Sequence, residues 1–176
     1  GFFDIGQLHK ITKLKKTVWT LHDPWALTGH CIYPFDCNKW EVGCGDCPSL
    51  NIPFPIDYDT TDLLFEYKFH AYKNASFDLI VASNWMEQMV QRSPLMRDRR
   101  VHKVPFGLDL KKFHANHRSS ARRNLNISDD EFVLCFRAVN NEFKGLPQIL
   151  AALELLQPNQ NITLLTMNDD DNCTSL

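Results

Sequence analysis

Apolar and polar residues along this chain fall into two alternating rhythms. Ile5, Leu8 and Ile11 recur at helical spacing, so residues 5–11 read as the tail of a helix. The run Thr17-Val18-Trp19-Thr20-Leu21 is short, apolar and β-branched, as a buried strand is, and it stops abruptly at His22-Asp23-Pro24. A helix is predicted from Asp59 or Thr60, either of which can cap its free N–H groups, with Phe65, Phe69 and Tyr72 on one face. Residues 78–82 read as a second strand. The next helix takes Asn84 as N-cap and Glu87 as capping-box partner; Trp85, Met86, Met89 and Val90 form its stripe, and Pro94 marks its end. Residues 101–105 give a third short strand.

The second half repeats the alternation. Residues 111–123 are basic and polar, a connector leading into a short helix. Phe132-Val133-Leu134-Cys135-Phe136 is the strongest strand signal in the chain. Pro147 falls in the first turn of a helix, where its missing N–H costs little, and Ile149, Leu150, Leu153 and Leu156 supply the stripe. Residues 162–167 are a last strand, and the polar tail 168–176 is expected to fray. This order predicts an α/β fold of Rossmann-like parallel sheet units with right-handed crossovers.

The stretch 24–58 breaks the rhythm. It holds Pro24, Pro34, Pro48, Pro53 and Pro55 with Gly29, Gly43 and Gly45. A loop this long inside a compact domain is usually functional or tied down. Cys31, Cys37, Cys44 and Cys47 offer the tie. Cys44-x-x-Cys47 is a two-ligand knuckle that Cys31 and Cys37, or His30 as an alternative, would complete as a structural zinc site. The first pair is spaced more widely than in common zinc ribbons. Four reduced thiols, or a disulfide, are the competing readings. A closed four-ligand site would be structural, because it leaves no position for water.

Composition narrows the class. The chain has 176 residues, enough for one ordinary domain or parts of two, and is 44% hydrophobic and 23% charged, as ordinary globular proteins are. A net charge of -2 favours neither nucleic acid nor an anionic membrane surface. No apolar run approaches the roughly 20 residues of a membrane helix. The chain opens on Gly-Phe-Phe without Met and shows no secretory signal pattern. The cysteines are therefore expected as thiols or metal ligands in a reducing compartment, the cytoplasm.

Two further groups carry candidate chemistry. His22-Asp23 sits at the carboxyl end of a strand, where ligands bind in open α/β sheets; the plainer reading is a His that caps the turn. Arg137 and Lys144-Gly145 lie between a strand and a helix start, so a fork, a point charge and a helix N-terminus could together hold a diphosphate. The plainer reading is a solvated basic loop neutralised by Glu142.

Taken together, the motifs resemble a retaining family 4 glycosyltransferase of the GT-B fold, in the subgroup of colanic-acid and other exopolysaccharide enzymes. The residues are Trp19-Thr20-Leu21-His22-Asp23, Thr28-Gly29-His30-Cys31, Gly43-Cys44-Gly45-Asp46-Cys47-Pro48, Ser83-Asn84-Trp85, Val104-Pro105-Phe106-Gly107-Leu108-Asp109, and Phe136-Arg137-Ala138 with Phe143-Lys144-Gly145. The resemblance implies two Rossmann-like domains: residues 1–106 as the second half of an acceptor domain, 107–120 as the linker, and 121–176 as the start of a donor domain. It implies that Arg137, Lys144 and Gly145 hold the diphosphate of a nucleotide-sugar donor and that His22 serves as the catalytic-site residue near the transferred sugar. It further implies a glycan or lipid-linked acceptor, and peripheral association of the full-length enzyme with the inner face of the membrane. Arg137 and Lys144 stand further apart than is common in the family, and its Glu-x7-Glu motif is absent. The chain therefore reads as an internal fragment, expected to be inactive by itself. The alternative function is a non-catalytic, zinc-stapled α/β fragment.

Overall fold

The computed structural model describes residues 4–51, 53–137, 144–156 and 161–167. The sequence motif residues Ala138, Glu142 and Phe143, and the tail 168–176, lie outside the described residues. The chain divides into two compact units, Gly1–Gly107 and Leu108–Leu176. Both are α/β with parallel strands.

In the first unit, helix α1 (Leu8–Leu14) precedes strand β1 (Val18–Leu21). The proline-rich loop follows, then helix α2 (Thr61–Lys73), strand β2 (Asp78–Val81), helix α3 (Asn84–Arg92) and strand β3 (Val101–Lys103). The strands lie in the order β1-β2-β3, with Trp19 opposite Leu79 and Ile80 opposite His102. Leu79 and Val81 of the central strand are fully buried, and they anchor a core with Leu27, Tyr72, Val90 and Met96. Trp19 meets Tyr72 edge-on at 5.6 Å between ring centroids and Phe77 at 5.7 Å, so β1 is joined to α2 through aromatic contacts.

Three local expectations need correction. The cap of α3 is Ser83, whose hydroxyl accepts the Met86 N–H at 3.2 Å, one residue before the predicted Asn84. Trp85 is 54% exposed, while Met86, Met89 and Val90 carry the buried face. On α2, Phe69 is turned outward, and Lys68 takes its place in the buried stripe beside Phe65 and Tyr72. A residue four positions from Phe65 and another three positions from it compete for the same face, and here the packing selects the lysine.

The second unit contains helix α4 (Arg118–Asn124), strand β4 (Phe132–Arg137), helix α5 (Leu146–Glu154) and strand β5 (Ile162–Met167). β4 and β5 pair in parallel from Phe132↔Ile162 to Arg137↔Met167. Phe136 is the buried side chain of β4. On α5, Ile149, Leu150 and Leu153 are half-buried, and Leu156, predicted to extend the stripe, is largely exposed. Among the described residues, no helix is long and apolar enough to cross a membrane.

Candidate functional site

β1 ends at the buried Leu21, and the chain turns sharply at Pro24. At this carboxyl end a cavity of about 370 Å³ opens, lined by Trp19, Thr20, His22, Asp23, Trp25 and Phe54 among others. The two members of the His-Asp pair divide the work. Asp23 is the cap: its carboxylate accepts the Trp25 N–H at 2.8 Å and starts the 3-10 turn Pro24–Leu27. His22 is exposed, and its ring stacks on Phe106 at 5.4 Å and 14° between planes. Aromatic walls with a few polar groups are the composition of a small-molecule pocket. Phe106, within the Val104–Asp109 motif, had no role in the sequence reading beyond the motif itself.

Next to this pocket the cysteine loop folds back on α2. Cys31, Cys37, Cys44 and Cys47 all line one small cavity of about 30 Å³, with His30, Lys39 and Trp40. None of the five described cysteines forms a disulfide. Among the described residues, no group of three or more His, Cys, Asp or Glu side chains is set as a metal-ligand cluster. The Gly29 N–H points at Cys44 Sγ, 3.1 Å away, and Cys47 Sγ donates to the Ser49 carbonyl at 3.1 Å. His30 is committed elsewhere, its Nε2 donating to the Phe54 carbonyl at 2.5 Å. Burial pushes the Cys44 thiol up to about 11, with Cys31 and Cys37 adding to the rise against the Gly29 N–H. Burial likewise raises Cys31.

The loop docks on α2 by three devices. Asp59 is the first: its carboxylate accepts from the Cys47 N–H at 2.6 Å and from the Thr61 N–H and hydroxyl at 3.0 and 2.7 Å. These bonds, the Cys47 N–H foremost, hold its carboxyl below the ordinary range. Gly29 is the second. A Cβ there would lie 2.3 Å from the Thr61 carbonyl oxygen and 2.8 Å from Cys44 Cβ, so only glycine fits this approach.

The third is Lys68, which the sequence reading did not single out. It is 1% exposed, and its ammonium donates to the carbonyls of Trp25, Thr28 and Gly29 at 2.6, 2.9 and 3.3 Å. Those are three acceptors for three protons. The same group sits 3.6 Å from the centroid of the Trp25 ring. Burial pulls its pKa down to about 7, while Cys44, Cys31 and Asp23 act in the opposite direction.

In the second unit, Arg137 closes β4 and is exposed. Lys144 is exposed just before Gly145, which begins α5. Gly145 is the N-cap of α5 and holds φ +72, a left-handed conformation that glycine adopts at little cost; it has no side chain to offer the helix start. The first N–H groups of a helix lack intrahelical partners, which suits such an end to an anion. The segment 138–143 between the two cations lies outside the described residues, so each is placed by its own element: one at the carboxyl end of β4, the other at the start of α5.

No family model matches the chain. Over 42 residues it is 48% identical to a glycosyl transferase of Escherichia coli (strain K12), WcaC, named for colanic acid biosynthesis. That match covers 24% of this chain and 10% of the relative, so the shared segment is a small part of the longer protein. The chain is thus related in part to a glycosyltransferase, on an α/β scaffold of parallel sheets.

Proposed function

We propose that this chain serves a retaining glycosyltransferase that moves a sugar from a nucleotide-diphosphate donor to a glycan or lipid-linked acceptor in exopolysaccharide biosynthesis. The observation that carries the reading is the β4–α5–β5 unit, with Arg137 at the end of its first strand and Lys144-Gly145 at the helix start. In the transfer, the bond between the anomeric carbon and the donor phosphate oxygen breaks, and the acceptor hydroxyl oxygen bonds that carbon and gives up its proton to the departing phosphate oxygen. Negative charge develops on the departing diphosphate. The Arg137 guanidinium, the Lys144 ammonium and the N-terminal amides of α5 would stabilise that charge.

His22 is assigned to the sugar side, at the mouth of the β1 cavity, where its stacking on Phe106 fixes the ring. The relative's name, which places it in colanic acid biosynthesis, is in keeping with an exopolysaccharide role; the polysaccharide or lipid-linked acceptor and a cytoplasmic site at the inner face of the membrane belong to the proposal. The test is sugar transfer from a radiolabelled nucleotide sugar by an active enzyme that contains this segment. Lys144→Ala is expected to lower turnover by roughly 10²-fold, the scale of losing one preorganised group at a developing anion. Near-normal turnover in that variant contradicts the reading.

A further inference from the structure

We propose that Cys31, Cys37, Cys44 and Cys47 bind one zinc ion as a structural tetrathiolate whose negative charge is met by two neighbouring lysines, Lys68 and Lys39. This inference does not depend on the glycosyltransferase reading.

It starts from the shape of the site. All four thiols line a single small cavity of about 30 Å³, room enough for a water-sized occupant. The set is all sulfur, the donor type zinc takes in closed structural sites. The thiols line the wall without being set as a ligand cluster among the described residues. Binding therefore requires their side chains to rotate onto a common centre.

The charges around the cavity point the same way. Zinc with four thiolates carries a net charge of minus two, which is costly to bury unless it is paired. Lys68, which has no carboxylate among its hydrogen-bond acceptors, is held by three carbonyls of the loop and lies within electrostatic reach of Cys44 and Cys31. Lys39 lines the cavity itself, donates to Asp46 Oδ2 at 3.0 Å, and lies within reach of the other two, Cys37 and Cys47. Each lysine thus serves one pair of sulfurs. The Gly29 N–H aimed at Cys44 Sγ adds a backbone donor of the kind that orients metal thiolates. Without a metal, a buried ammonium faces neutral thiols, and its desolvation is answered only by carbonyls. With the metal, Lys68 gains an anionic neighbour, and Lys39 stands between that anion and Asp46.

Protein purified under reducing conditions and dialysed against zinc is expected to hold one equivalent by metal analysis. Loaded with cobalt instead, it should show the sulfur-to-metal charge-transfer band of a tetrahedral thiolate site. Cys37→Ser and Cys47→Ser should each lower the intensity of that band and weaken metal binding. Should those variants fail to fold, the wild-type cobalt spectrum still decides the ligand set. Lys68→Met should retain one site but weaken zinc binding by about 10–100-fold, the usual effect of a partner behind the ligands, whereas Lys68→Arg should keep most of the affinity. Zinc well below one equivalent, a cobalt spectrum without sulfur charge transfer, or a disulfide among these cysteines in the reduced preparation would overturn the site. Undiminished affinity in Lys68→Met would overturn the charge pairing.

Discussion

Tyr72 shows how single residues set the stability of the first unit. It is buried between Trp19 and Phe77, and its hydroxyl has no hydrogen-bond partner among the described residues. Its ring contributes packing while its oxygen is desolvated without return, which also raises the phenol pKa. Tyr72→Phe is accordingly expected to leave stability unchanged or raise it by about 1 kcal/mol, read by chemical denaturation. A loss of more than about 1 kcal/mol would mean that the hydroxyl has a partner after all. Lys68 is the opposite case, a buried polar group with every donor used. Both residues lie on the inner face of α2. Periodicity picks out the face, but it does not say which polar groups on it will be satisfied. The tyrosine was legible as core and the lysine was not, because a charged residue in an apolar stripe reads as an interruption until its acceptors are known.

Elements were the most legible scale. All five strands and the helices around them fall within a few residues of their predicted positions, because short apolar runs bounded by prolines and polar turns leave few alternatives. The misses are local. Ser83 rather than Asn84 caps α3, since two adjacent polar residues offer the same chemistry and only backbone geometry chooses between them. The pairing of β4 with β5 has a contact that sequence could not supply. Glu131 accepts from the Ser128 N–H at 2.7 Å and from the Thr163 hydroxyl, tying the start of β4 to the neighbouring strand. The Thr163 hydroxyl foremost, then the Ser128 N–H, holds the Glu131 pKa below its ordinary 4.5. A depressed folded pKa contributes stability above the unfolded value, and that stability is lost as pH falls through the folded one. The second unit is therefore expected to be more stable than its Glu131→Gln variant above pH 4.5, with the difference shrinking at lower pH. Parallel unfolding curves for the two proteins at all pH values would contradict this.

At the scale of the whole molecule, the two units carry different parts of the proposed chemistry. The first holds a pocket at the end of β1 and the cysteine loop beside it; the second holds the cations proposed to face a diphosphate. The pocket was foreseeable from a strand that stops at His22-Asp23. Its Phe54 wall, and the Phe106 ring stacked on His22 at its edge, were not, because both come from distant segments that only folding brings to that strand end. The most direct test of the proposed function is calorimetric titration of the protein with UDP, GDP, ADP and dTDP. At least one should bind saturably at one site. Lys144→Ala should weaken that binding by about 10–100-fold, the worth of one charge-assisted contact, with its circular dichroism spectrum unchanged. If none of the four diphosphates binds, or the affinity is the same in Lys144→Ala, the account is contradicted.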